Sequence, residues 1–248
     1  MIVSKMRNTL IVSVIAMTCF APCVMAETAS QVQKPDLIAE PVTGIQLGQT
    51  RVVIKPGEHT SYFNVISHDD RPFVISAFVL DQNEKRSRAF AVEPGVFQLP
   101  GRQKVSVRVL QLESLPTDKE SLFWLQVNSV VARSESTKQE SNALNLALGQ
   151  RIKLFYRPKG LEGDARYAAE NLQWHWKDGY LTAMNPTKFW VSMSYITING
   201  KKHNISDMVQ PSGDFKFKTP KLTGVENDGF AFVDEYGGEV KLPFNLVK

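Results

Sequence analysis

The chain has 248 residues, with 29 lysines and arginines against 25 acids and a formal charge of +4. Positive and negative side chains are interspersed, and a nucleic-acid binder would want them clustered in a basic stripe. The only cysteines, Cys19 and Cys23, lie close to the N-terminus, which argues against thiol and metal-thiolate chemistry in the rest of the chain.

The first 26 residues read as a secretion signal. Lys5 and Arg7 supply the positive start, Thr9 to Phe20 a mostly apolar middle, and Val24-Met25-Ala26 a small-residue cleavage site. The apolar middle falls short of the roughly 20 residues that a membrane anchor needs. Pro22 ahead of Cys23 makes a poor lipidation box. The mature chain, starting at Glu27, is therefore expected to be exported and soluble. It is long enough for two domains of about 100 residues each, and without disulfides it must rely on its hydrophobic cores.

Residues 27–43 are polar, carry Pro35 and Pro41, and read as a flexible N-terminal extension, although Leu37 and Ile38 could lie against a sheet. From Ile45 onward, short apolar runs alternate with turn signals: Thr50–Lys55, Ser61–Ser67, Phe73–Leu80, Phe90–Val92, Val105–Leu110, Leu122–Val131 and Ala143–Tyr156. Pro56-Gly57, His68-Asp69-Asp70, Asp81-Gln82-Asn83 and Pro100-Gly101 separate them. Such a series suggests an all-β, immunoglobulin-like sandwich. Arg157-Pro158-Lys159-Gly160 closes this first domain, 44–158, because proline cannot continue a central ladder. Leu161 to Arg166 reads as linker.

The second domain, 159–248, repeats the pattern with Leu172–Trp176, Tyr180–Met184, Trp190–Ile198, Phe215–Lys218, Gly229–Val233 and Glu239–Phe244. Asn199-Gly200 is a strong hairpin signal. No helical period of convincing length occurs.

Two stretches carry the most information. Between Asn142 and Pro158, Leu144, Leu146 and Leu148 recur at period two, which is strand spacing. Lys153 and Arg157 then interrupt the apolar run Ile152, Leu154, Phe155 and Tyr156. Upstream lies Leu115-Pro-Thr-Asp-Lys-Glu-Ser-Leu-Phe-Trp-Leu-Gln-Val127. Residues alone leave two readings of the leucines open, an ordinary core strand or a device for pairing with another chain.

Together with Arg151-Ile-Lys-Leu-Phe-Tyr-Arg-Pro158, that upstream stretch resembles the signature of the PapD-type periplasmic chaperones of chaperone–usher pili. The likeness runs from about Gly48 to the C-terminus and is weaker in the last third. There, Asn185-Pro-Thr-Lys-Phe-Trp-Val191 resembles the family's Asn-Pro-Thr-Pro-Tyr-Tyr-Val, and Asp234-Glu-Tyr-Gly-Gly238 its Asn-Asp-Tyr-Gly-Gly/Ala turn. The resemblance implies two sandwiches in a boomerang arrangement and a periplasmic chaperone for pilus subunits. It would cap each subunit by donor-strand complementation and deliver it to an outer-membrane usher. No cofactor, metal, catalysis or small-molecule substrate is implied.

Residue by residue, the resemblance makes Leu144, Leu146 and Leu148 the donor-strand ladder. Arg51 and Lys153 become the anchor for the subunit's terminal carboxylate. Glu120, Arg157 and Glu235 become an interdomain salt-bridge network. Glu235 departs from the family's Asp, and Asp234 could take its place if the turn shifts by one residue. The extension 27–43 is a second departure. The loop before the donor strand is short and lacks a cysteine pair, which favours the short-loop branch.

A structural pilin-like or adhesin-like subunit is the alternative, but residues 27–43 lack the alternating apolar pattern that such a subunit's donor extension needs. A carbohydrate-binding or hydrolytic sandwich is a third reading, without the carboxylate–aromatic cluster it requires. His59, His68, His175 and His203 stand singly with no metal spacing, and Gly-x-Ser-x-Gly is absent. The free strand edge would also allow a self-capped dimer.

Overall fold

The computed structural model describes residues 44–132, 147–223 and 227–247; the expected signal and the extension 27–43 lie outside the described residues. The described chain forms two immunoglobulin-like β-sandwiches.

In the first sandwich, one sheet joins β1 (Ile45–Leu47), β3 (Thr60–Ser67), β7 (Lys104–Gln111) and β5 (Phe90–Glu93), in the order β1-β3-β7-β5. The facing sheet joins β2 (Arg51–Ile54), β9 (Ala147–Tyr156), β8 (Ser121–Val131), β4 (Phe73–Leu80) and β6 (Val96–Leu99), in the order β2-β9-β8-β4-β6. Alternate residues of each strand point inward, and Val52, Ile54, Phe63, Val65, Ile75 and Leu125 fill the core between the sheets. The first strand is split: β1 pairs with β3 in one sheet, and β2 crosses to pair with β9 in the other. That β2–β9 pairing is parallel, with Arg51 opposite Lys153 and Ile54 opposite Tyr156.

The linker is shorter than expected. Asp164 caps a helix, α1 (Ala165–Glu170), by accepting a hydrogen bond from the Tyr167 N–H at 2.7 Å. Six residues are too few to show a helical period in the sequence. The second sandwich sets β10 (Gln173–Lys177), β11 (Tyr180–Met184) and β15 (Asp214–Lys218) against β13 (Lys201–Asn204), β12 (Val191–Ile198), β16 (Gly229–Val233) and β17 (Glu239–Pro243). β14 (Met208–Val209) adds to β12. Trp174 is fully buried and packs on Phe230 and Phe244, with ring centroids 5.0 and 4.8 Å away.

Charged side chains join the sandwiches. Glu120, just before β8, is 3% exposed, and its Oε1 accepts from Arg157 Nη2 at 2.9 Å and Nε at 3.2 Å. Its Oε2 accepts from the Trp190 backbone N–H at 3.0 Å, and its carbonyl from the Trp190 indole N–H at 3.2 Å. Glu235 Oε1 lies 2.5 Å from Arg157 Nη2. That contact is an ion pair, with Glu235 the more exposed partner. Asp234 does not substitute for Glu235: it closes its own turn, accepting from the Tyr236 and Gly238 N–H groups at 2.9 and 2.8 Å. Arg157 also lies over the Phe189 ring, 5.2 Å from its centroid.

Removing one member of a buried pair strands the other's charge at a cost of about 3–5 kcal/mol, whereas replacing both by apolar groups is often near neutral. Arg157→Leu is therefore expected to lose about that much stability in urea unfolding, and Glu120→Leu with Arg157→Leu to recover most of it. A single-variant loss below about 1 kcal/mol would mean that Glu120 is not held as a buried carboxylate.

Candidate functional site

The parallel pairing of β2 with β9 puts Arg51 and Lys153 in register, so both side chains leave the same face of the sheet. Val52, Ile54 and Leu154 point the other way into the core. Arg51 is only 7% exposed. Its Nη1 donates to the carbonyl oxygen of Val233, the last residue of β16, at 2.7 Å. Lys153 Nζ donates to Ser192 Oγ, on β12, at 3.0 Å. Both cations thus rise from the first sandwich and reach an oxygen of the second.

Burial pushes the Lys153 ammonium down to about 8, the Arg51 charge beside it adds to the shift, and Asp207 opposes both. Burial likewise lowers Arg51, against the attraction of Asp234, Glu235 and Glu120. Arg51 Nε has no hydrogen-bond partner. Arg51 borders a small cavity that Glu120, Arg157, Trp190 and Glu235 also line.

The turn Asp234–Gly238 closes over this corner. Gly237 has φ of +89°, and a Cβ there would come within 2.6 Å of Thr50 Oγ1. Glycine is needed on both counts. The base of the turn is the carbonyl that Arg51 binds, and its far side rests on the residue preceding Arg51.

β9 is longer than β2. Residues Ala147 to Ile152 pair with β8 on one side, while β2 covers only Lys153 to Tyr156 on the other. Among the described residues no strand occupies the remaining edge, and the Gln150 side-chain amide donates across it to the Ile45 carbonyl at 2.5 Å. Along one face of β9 burial falls steadily toward the N-terminal end: Leu154 is at 0%, Ile152 is half-buried against the core, and Leu148 is 55% exposed. Leu148 therefore does not fill the sandwich's own core. Leu144 and Leu146 lie outside the described residues, and the expected run from Ala143 is seen as a strand from Ala147.

The structure brings Arg51 and Lys153 together, and Glu120, Arg157 and Glu235 beside them. It also supplies three contacts that the residue patterns did not single out: Ser192, Trp190 and the Val233 carbonyl. Ser192 follows directly on the Asn185–Val191 stretch, but nothing in its spacing marks it. The histidines stay apart; His59 meets Gln111, and His68 meets Gln46. Among the described residues no three histidine, cysteine, aspartate or glutamate side chains converge as a metal site. Asp69 and Asp70 form turn ion pairs with Arg71 and Arg102. No described helix is long and apolar enough to cross a membrane.

Comparison with known proteins agrees with this geometry. Residues 44–162 match the model of the pili and flagellar-assembly chaperone PapD N-terminal domain, and residues 167–244 that of the pili assembly chaperone PapD C-terminal domain. The chain is 30% identical over 197 residues to the chaperone protein FimC of Escherichia coli K12, covering 78% of this chain and 80% of that one. It is 29% identical over 233 residues to the chaperone protein caf1M of Yersinia pestis, covering 86% and 90%. Among solved structures it resembles the E. coli chaperone DraB, with TM-score 0.67 and 26% identity over 82% of this chain and 97% of that one. It also resembles the Salmonella enterica SafB chaperone, solved with the SafA pilin, with TM-score 0.69 and 26% identity over 82% and 95%. Two sandwiches, each matched by its own family model, with paired cations at their junction, make this chain a member of the PapD-type family of pili assembly chaperones.

Proposed function

We propose that this chain, a periplasmic chaperone for fimbrial subunits, holds its client along the free edge of β9 and anchors the client's C-terminal carboxylate between Arg51 and Lys153. The observation that carries the reading is the shared row: any strand added to Ala147–Ile152 lies in line with β2 and ends against Arg51. Main-chain hydrogen bonds would supply affinity along the edge. Direction follows from charge. A client strand parallel to β9 brings its carboxylate to the two cations, whereas the antiparallel choice would bring an ammonium into repulsion with them.

Leu148, with Leu144 and Leu146 before it, would reach from β9 into a client core that lacks a strand. Burying each leucine contributes about 1.5–3 kcal/mol, so three offset a good part of a missing strand. The terminal anchor fixes register, and register decides which leucine enters which client pocket. Glu120, Arg157 and Glu235 act as the interdomain lock that keeps the second sandwich against Arg51 and Lys153. The work is non-catalytic: the client leaves by strand exchange at an outer-membrane usher. Family models over both sandwiches favour a chaperone over a structural fibre subunit.

Periplasmic co-expression with a candidate subunit, followed by native mass spectrometry, tests the reading. A one-to-one complex is expected for the wild type and its loss for Lys153→Ala; failure to capture any fibre subunit would sink it. Leu148→Asp is expected to abolish capture while leaving thermal unfolding of the free chaperone close to wild type, because the side chain is exposed and outside the core.

Affinity should also depend on pH. Lys153 titrates near 8 when free, and a bound carboxylate raises that value, so binding takes up a proton. Affinity is then fully present below about pH 8 and falls as pH rises through the free value, by up to about tenfold per unit. Lys153→Arg, which stays charged, should flatten the profile in a calorimetric titration. Stability of the free protein runs the other way. The folded value lies below the ordinary lysine value of 10.5, so the charge penalty is complete below pH 8 and is relieved between about 8 and 10.5.

A further inference from the structure

We infer that Ser192 is a positioning residue of the carboxylate anchor: its hydroxyl holds the Lys153 ammonium in place beside Arg51, so that the second sandwich sets the geometry of a site built on the first. The inference rests on the anchor proposed above and adds a residue to it. Lysine is a flexible four-carbon stem ending in a strongly hydrated charge. Next to Arg51 it is repelled, and half-buried as it is, it would gain by swinging toward water. The Ser192 Oγ, 3.0 Å from Nζ, gives it an acceptor that keeps it in the cleft.

That acceptor is itself fixed. Ser192 is 2% exposed and sits on β12 between Val191 at 0% and Met193 at 3%, both in the second core. β14 pairs with it directly through Met208. The charged groups that act on the Lys153 ammonium are Arg51 on β2 and Asp207 just ahead of β14. Neither is a hydrogen-bond partner of Nζ; Ser192 is. Arg51 is fastened in the same manner, to the Val233 carbonyl. Each cation thus takes its position from one backbone-anchored oxygen across the domain junction. Preorganised charge of this kind binds an anion with less ordering at the moment of contact.

The test uses the full mature chain and a synthetic peptide of alternating apolar residues, made with a free C-terminal carboxylate and as its C-terminal amide. Wild type is expected to prefer the carboxylate. Ser192→Ala should reduce that preference by roughly tenfold, the scale of one hydrogen bond to a charged group, and leave amide affinity unchanged. Ser192→Thr, which keeps the hydroxyl, should restore the preference. The pH at which the preference fades should move down in Ser192→Ala, since the ammonium has lost its acceptor. In a Lys153→Met background, Ser192→Ala should change nothing. If Ser192→Ala does not fold, Ser192→Cys, similar in size and a weak acceptor, carries the same expectation.

A wild-type preference retained in Ser192→Ala, or an equal loss for both peptides, would overturn the role of Ser192 and leave the anchor standing. A wild type that does not distinguish carboxylate from amide would overturn the anchor and Ser192 with it.

Discussion

Two positive charges on neighbouring parallel strands impose the condition that the rest of the junction satisfies. Arg51 and Lys153 are direct partners in the β2–β9 ladder, and burial strips away part of the water that would screen them. Arg157 adds a third cation a few residues further along the chain. The acids that act on Arg51 are already committed: Glu120 and Glu235 to Arg157, and Asp234 to its own turn, while Asp207, which acts on Lys153, is not its hydrogen-bond partner. Neutral oxygens from the second sandwich meet the other two cations without cancelling their charge. Each of these two cations has one neutral acceptor, the Arg51 Nε has none, and the corner is short of an anion. Removing charge would have been the simpler route to a stable junction, since buried ion networks seldom beat apolar packing. Retaining it makes sense where the missing anion is brought by a partner.

On the reading proposed above, β9 carries that partner's other contacts. One face of a single strand passes from the chaperone's own core at Leu154, through half-buried Ile152, to exposed Leu148. Pairing with β8 along the full length keeps the exposed part extended, so the edge is preformed instead of being ordered from a coil. β2 begins at Arg51, opposite Lys153, where the open edge finishes, which gives the row a fixed stop. The open edge and the cation pair are consequently one geometric object, laid out by the length difference between two neighbouring strands.

Much of this was legible in the sequence because it is local. Leu148, the lysine inside an apolar run and the proline after Arg157 act through neighbours along one strand, while Leu144 and Leu146 lie outside the described residues. The sandwich class followed from turn chemistry at Pro56-Gly57 and Asn199-Gly200, the latter with positive φ at both residues as a tight hairpin requires. Other elements left no trace. β13 reads Lys-Lys-His-Asn and owes its strand state to the hairpin and to pairing with β12. β6 is four residues long, and exposed Val96, at 68%, blurs the alternation of Phe97 and Leu99 with Gln98. The contact between Ser192 and Lys153 joins residues 39 apart in different sandwiches, a distance over which no periodicity operates. Resemblance to a family supplied the roles proposed for Arg51 and Glu235, which spacing alone would have left as a strand cation and a turn acid.

The stop at the end of the open edge has a further consequence. A strand from the middle of an unfolded polypeptide could lie along Ala147–Ile152, but its chain would continue and collide with Thr50 and Arg51. Under the anchor proposed above a terminus is what fits, and every polypeptide has a single carboxyl end. A receptor of this form counts molecules instead of segments. However many exposed strands a client offered, such an anchor would admit it once, and a second chaperone would find no carboxylate left on the same subunit.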